Sequence, residues 1–200
     1  MNYEFNDNAI EEYMRGCEQF NDAKWSDAAT SFRGVTRMAP THFEGYYCLG
    51  STLVKMGALV EAAVAFRKAA KLRPGDSQTH LSLAQVYDQL NDADSAMREY
   101  QLAVEYGPDD WRTHGALANF YERLRECEKA ERSYLAALSV DPGEMSMCIK
   151  LGRFYLNAGK PDMAVRHLKT VIEQGDDQLK AQAESYMQRK NRRCLRWFTR

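Results

Sequence analysis

The sequence predicts an all-α solenoid: five tandem helical hairpins followed by a C-terminal capping helix. Three observations carry this expectation. Four of the five prolines, Pro40, Pro74, Pro108 and Pro142, stand 34 residues apart. Ala28, Ala62, Ala96, Ala130 and Ala164 keep the same interval, with Phe32, Phe66, Tyr100, Tyr134 and Leu168 four residues beyond them. Small residues recur in step at Gly16, Gly50, Ala84, Ala118 and Gly152, preceded by Leu49, Leu83, Leu117 and Leu151 in the last four copies. A fixed period of this length marks a stacked array, in which each copy buries its apolar side against the next.

Each copy divides into two antiparallel helices, A and B, of about fourteen residues, roughly 21 Å at 1.5 Å per residue. Helices A are expected near 9–22, 43–56, 77–90, 111–124 and 145–158, and helices B near 25–38, 59–72, 93–106, 127–140 and 161–174. The Gly or Ala of helix A and the Ala of helix B belong where the two axes cross closely, so neither position tolerates bulk. The Leu, Tyr and Phe positions fill the space around that crossing. Proline ends helix B, because it lacks an N–H and disfavours helix in the residue before it. Gly75 and Asp76, Asp109 and Asp110, and Gly143 and Glu144 follow as turn and N-cap chemistry. Pro161 falls in the first turn of the last helix B, where proline is tolerated. The fifth copy has Asp176 in place of the proline, so the array ends there and runs into a last helix near 177–198. Leu179, Ala183, Tyr186 and Met187 share one face of that helix, as a cap over an exposed apolar end requires.

These residues resemble the tetratricopeptide repeat (TPR) family, whose pattern runs W-x2-L-G-x2-Y, then A-x3-F, then P. The second copy carries it as YYCLGSTL, AAVAF with Ala62 and Phe66, and LRP. The resemblance covers residues 9–176 as 9–42, 43–76, 77–110, 111–144 and 145–176, with a lead segment 1–8 and a cap and tail 177–200. It implies a right-handed superhelix whose concave groove, lined by helices A, holds a protein or peptide segment of a partner. An adaptor, chaperone or scaffold role follows as an expectation. The groove-facing positions so implied include Tyr13, Met14, Tyr47, Leu81, Gln85, Arg112, Asn119, Arg123, Lys150 and Arg153. Their chemistry runs from aromatic and apolar, through amide and hydroxyl, to basic. Gln85 and Asn119 suit a peptide backbone, and Arg112, Arg123, Lys150 and Arg153 suit carboxylates. Tyr3 and Phe5 could instead fold back over the first copy.

The two-carboxylate clamp by which some TPR domains hold an EEVD terminus is not expected. It needs Lys and Asn at the fifth and ninth positions of one copy, Asn at the sixth of the next, then Lys and Arg at the second and sixth of a third. The first three copies offer Tyr13, Cys17, Cys48, Gln78 and Ser82, and the later frames match no better.

Charge is uneven although the formal net is -1. Residues 1–30 hold seven acids against two bases, and residues 188–200 hold Arg189, Lys190, Arg192, Arg193, Arg196 and Arg200 with no acid. Trp197 and Phe198 interleave with those bases. Such a tail allows self-association with the acidic start of another copy, giving a scaffold as the alternative function. Contact with lipid or nucleic acid is a weaker expectation.

No P-loop, G-x-G-x-x-G, H-E-x-x-H or G-x-S-x-G motif is present, so no enzyme and no cofactor are expected. His80 and His114 share the fourth position of adjacent copies and are read as packed core residues near one another, without a metal. The five cysteines are scattered and unpaired in pattern, which fits free thiols in a reducing compartment. With no signal-like N-terminus and no long apolar run, a cytoplasmic location is expected.

Overall fold

A computed structural model describes the backbone of residues 7–198 and the side chains of residues 7–188. Eleven α-helices and no strand occur among the described residues. The hairpins pair α1 (Asp7–Asn21) with α2 (Trp25–Met38), and α3 (Phe43–Lys55) with α4 (Leu59–Leu72). They continue as α5 (Ser77–Gln89) with α6 (Ala93–Tyr106), α7 (Trp111–Arg123) with α8 (Cys127–Val140), and α9 (Met145–Asn157) with α10 (Pro161–Gln174). The last helix, α11 (Asp177–Phe198), follows. The chain divides into two compact units, Met1–Pro108 and Asp109–Arg200.

The helix crossings explain the recurring small residues. A Cβ added at Gly16 would lie 2.8 Å from the Phe32 ring, and one at Gly50 would lie 2.8 Å from the Phe66 ring. At Gly152 it would meet Leu168 at 2.7 Å. The bulky residue four places after each helix B alanine therefore fills the gap that the small residue of helix A leaves. Ala28, Ala62, Ala96, Ala130 and Ala164 are all fully buried, which is why none can be larger.

The A-to-B turns recur as well. Ala23, Gly57, Asn91, Arg125 and Gly159 occupy the same place in the five hairpins, and all have positive φ, from 59° to 76°. This left-handed residue closes helix A, with Ala58 N–H, for example, donating to Leu53 O at 2.9 Å. The conformation costs an L-residue about 1–2 kcal/mol. Glycine escapes that cost but loses more chain entropy on folding, about 0.5–1 kcal/mol. Arg125→Gly should therefore stabilise the protein by about 0.5–1 kcal/mol in urea denaturation.

The helix starts carry the expected caps. Asp76 accepts from Thr79 N at 2.8 Å, Asp110 from Arg112 N at 2.9 Å, and Glu144 from Ser146 N at 3.0 Å. His42 caps α3 in the same way, with Nδ1 accepting from Gly45 N at 3.0 Å. That bond requires the neutral ring, and burial lowers the His42 pKa accordingly. At the other end, α11 packs on α9 and α10 through a fully buried Ala183 and half-buried Leu179, Tyr186 and Met187.

His80 is buried, as expected of its position, and its polar partners lie across its own hairpin and in the turn just before it. Nδ1 is 2.7 Å from Glu99 Oε2, and Nε2 is 2.8 Å from Pro74 O. Both neighbours are acceptors, so both ring nitrogens donate and the imidazolium is favoured. The ring also stacks on Tyr106 at 5.5 Å. The Glu99 hydrogen bond raises the His80 pKa above its ordinary 6.5. A raised folded value means the pair stabilises fully below the unfolded pKa and loses its effect as pH rises through the folded one. Glu99→Gln should thus cost about 2 kcal/mol near pH 6. The gap to wild type should shrink as urea titrations move to alkaline pH.

Candidate functional site

In the N-terminal unit α1, α3 and α5 carry a repeated contact. The Tyr13 hydroxyl lies 3.7 Å from Cys48 Sγ, and the Tyr47 hydroxyl lies 3.5 Å from Ser82 Oγ. Each pair joins the fifth position of one helix A to the sixth position of the next, 35 residues on. Both tyrosines are half-buried, and the Tyr47 ring meets the Phe66 ring edge-on at 5.6 Å. Burial, followed by the Cys48 contact, pushes the Tyr13 hydroxyl pKa upward. Met14 is 58% exposed on the same helix as Tyr13, and Gln85 is exposed on α5.

Leu81 departs from the expected lining. It is only 4% exposed and belongs to the core. The fifth position lies at the seam between successive A helices, as the Tyr13 and Tyr47 contacts show. An aliphatic chain placed there is buried, whereas a tyrosine keeps its hydroxyl near the edge. In the C-terminal unit the same position is Gly115, where an added Cβ would lie 2.7 Å from Met147 Sδ of the next helix A. Ile149, at the fifth position of the last copy, is likewise buried.

In the C-terminal unit the faces of α7 and α9 hold a polar cluster. The Tyr134 hydroxyl lies 2.8 Å from both Asn119 Oδ1 and Glu122 Oε2. Arg153 Nη2 donates to the same Glu122 oxygen at 3.0 Å. Tyr134 is fully buried, and burial, then the Glu122 contact, drives its pKa upward. The repeat pattern implies only packing for Tyr134, since the helix B aromatic position gives no sign of where a hydroxyl goes. Lys150, one helical turn before Arg153, is half-buried, and no hydrogen bond or ion pair among the described residues holds its ammonium. Burial, and then the Arg153 charge, lower its pKa. Arg112 is exposed, 3.4 Å from Asp110 and over the Trp111 ring. Arg123 is exposed over the Phe120 ring at 5.4 Å.

The tail residues Arg189, Lys190, Arg192, Arg193, Arg196 and Trp197 have side chains outside the described residues, as do Tyr3 and Phe5. Cys17, Cys48, Cys127 and Cys148 are free thiols. No group of three or more His, Cys, Asp or Glu among the described residues is placed to hold a metal. No described helix is long and apolar enough to cross a membrane.

Comparison with known proteins agrees with the repeat geometry. Three tetratricopeptide repeat models match, over residues 13–77, 53–120 and 113–146. The chain belongs to the tetratricopeptide repeat family. No curated protein sequence matches it. Its fold is similar to that of MamA, residues 41 to the end, from Desulfovibrio magneticus RS-1, with TM-score 0.77 and 21% identity over 87% of this chain and 99% of that one. TTC0263, a thermophilic TPR protein of Thermus thermophilus, gives TM-score 0.70 and 21% identity over 90% of this chain and 98% of that one. YrrB, described as a TPR protein with an unusual peptide-binding site, gives TM-score 0.67 and 20% identity over 88% of this chain and 92% of that one. At identities this low the likeness is one of fold.

Proposed function

We propose that this TPR protein is an interaction module that holds a segment of a partner protein against the inner faces of its A helices, as an adaptor or chaperone in the cytoplasm. The observation that carries the reading is the surface of the N-terminal unit. Half-buried tyrosine rings at Tyr13 and Tyr47 sit beside an exposed Met14 and an exposed amide at Gln85. Apolar side chains interleaved with hydrogen-bonding groups suit a peptide, whose backbone needs partners and whose side chains need cover. The peptide-binding site named for YrrB is consistent with this use of the fold. The EEVD type of ligand is not proposed, because the clamp residues are absent.

A display selection of random peptides, about twelve residues long, on the whole protein tests the reading. Tyr47→Ala and Gln85→Ala should together weaken selected peptides by about tenfold or more, or roughly 1.4 kcal/mol. Val60→Ala with Val64→Ala, at exposed positions of α4, should leave affinity unchanged. The reverse pattern would refute the assignment.

A further inference from the structure

We infer that Cys17 of α1 and Cys48 of α3 form a site for a soft monovalent cation, copper(I), held between their two thiolates within the N-terminal unit. The site goes beyond the peptide-binding reading and does not depend on it.

The two thiols gather around one hydroxyl. The Tyr13 hydroxyl lies 3.7 Å from Cys48 Sγ. Cys17 stands one helical turn after Tyr13 on α1, and its thiol neighbours the same hydroxyl. Cys17 and Cys48 are also close enough to feel each other's charge. Both are free and half-buried, so an ion can reach them. They pack against the apolar cluster that includes Phe32, Leu49, Leu53 and Phe66, which shields one side of the pair from water. The next seam of the unit repeats the tyrosine without the sulfur. There Tyr47 meets Ser82 Oγ, and Ser51 takes the place of Cys17 in the repeat. The sulfur pair therefore belongs to α1 and α3 alone and is no requirement of the repeat.

The donor set selects the ion. Sulfur ligands favour soft cations such as copper(I), whereas magnesium and calcium take oxygen ligands. Zinc closes a structural site with four ligands. Among the described residues no group of three or more His, Cys, Asp or Glu is placed to supply them. His42, whose ring meets Tyr13 edge-on at 5.2 Å, is committed elsewhere. Its Nδ1 accepts from Gly45 N, and its Nε2 lies 3.4 Å from Glu44. Copper(I), with a filled d shell, is satisfied by two thiolates in a line. Met14 stands three residues before Cys17 on α1 and is 58% exposed. Its flexible thioether can turn in as a third sulfur. Binding displaces the thiol protons to solvent. The Tyr13 hydroxyl then donates to the Cys48 thiolate, the kind of outer contact that orients a metal ligand.

The test uses the full chain with Cys127→Ser and Cys194→Ser, which leaves Cys17, Cys48 and the buried Cys148 as its thiols. Copper(I) is offered under anaerobic, reducing conditions as its bicinchoninate complex, whose colour fades as the protein takes the metal. One copper per chain should transfer, and Cys17→Ser or Cys48→Ser should each abolish the transfer. Tyr13→Phe should keep the stoichiometry and weaken binding about tenfold. X-ray absorption at the copper edge reads the site with both cysteines in place, so it holds even where a serine variant folds poorly. It should find sulfur neighbours only, and Met14→Leu should remove any third one. No transfer to the chain that keeps Cys17 and Cys48 would overturn the site. Transfer that survives either serine change would do the same, as would nitrogen or oxygen ligands at the copper edge.

Discussion

Replacing Phe66 with alanine should lower the unfolding free energy by about 3–5 kcal/mol, the range for emptying a buried aromatic site. Phe66 is 2% exposed and packs among Leu49, Leu53, Ala62, Ala63, Leu83 and Val86. Its ring also supports Tyr47 edge-on, so the loss reaches the candidate surface. The site cannot collapse easily, because Gly50 faces the ring and has no side chain to move inward. In a repeat array the cost falls mainly on neighbouring hairpins. Hydrogen exchange should therefore quicken most in α3 to α6 and least in α10 and α11. Guanidinium denaturation of the two proteins measures the total.

Gly50→Val should destabilise by about 2–3 kcal/mol, whereas Gly50→Ala should be close to neutral. The difference tests which force governs the crossing. An added Cβ at Gly50 meets three atoms of the Phe66 ring at 2.8–2.9 Å, so the ring must shift. Alanine gains about 1 kcal/mol of helix propensity over glycine, which offsets that strain. The sequence already uses the larger pair at Ala84 with Tyr100 and at Ala118 with Tyr134. Valine adds two methyl groups and a restricted χ1, and no propensity gain covers them. Thermal melts should therefore place the valine variant several degrees below the alanine variant. Equal melting points would mean that the crossing is looser than the 2.8 Å approach implies.

Much of the fold is legible because its causes are local and repeated. Proline at one end and A-x3-F within helix B fix the B helices at 25–38, 59–72, 93–106, 127–140 and 161–174, as observed. Helices α3, α5, α7 and α9 begin where expected and end one residue earlier, at the turn into the left-handed residue. That turn is not legible in the sequence, because three of its five residues are Ala23, Asn91 and Arg125 rather than glycine. The His42 cap is hidden for a similar reason, since histidine seldom takes a place that Asp or Ser usually fills.

The candidate site is less legible than the scaffold. Position in the repeat says which way a Cα faces, but side-chain length decides whether the group reaches the surface. Leu81 and Ile149 are buried for that reason, while Tyr13 and Tyr47 at the same seam keep a polar edge. The Tyr134 hydroxyl shows the converse, a packing residue whose polar end organises Asn119 and Glu122. No periodicity encodes such a contact, because it depends on the neighbours of one hairpin.

Whether partners bind on the A-helix faces can be read by site-specific photo-crosslinking in native lysate, without knowing the partner in advance. A benzophenone amino acid placed at Met14, Gln85 or Arg123 lies on an A helix, and one placed at Val60, Leu135 or Met163 lies on a B helix. All six positions are exposed. Discrete adducts are expected from the first three positions, competed by a selected peptide, and none from the last three. Adducts confined to Val60, Leu135 and Met163 would contradict binding on the inner faces.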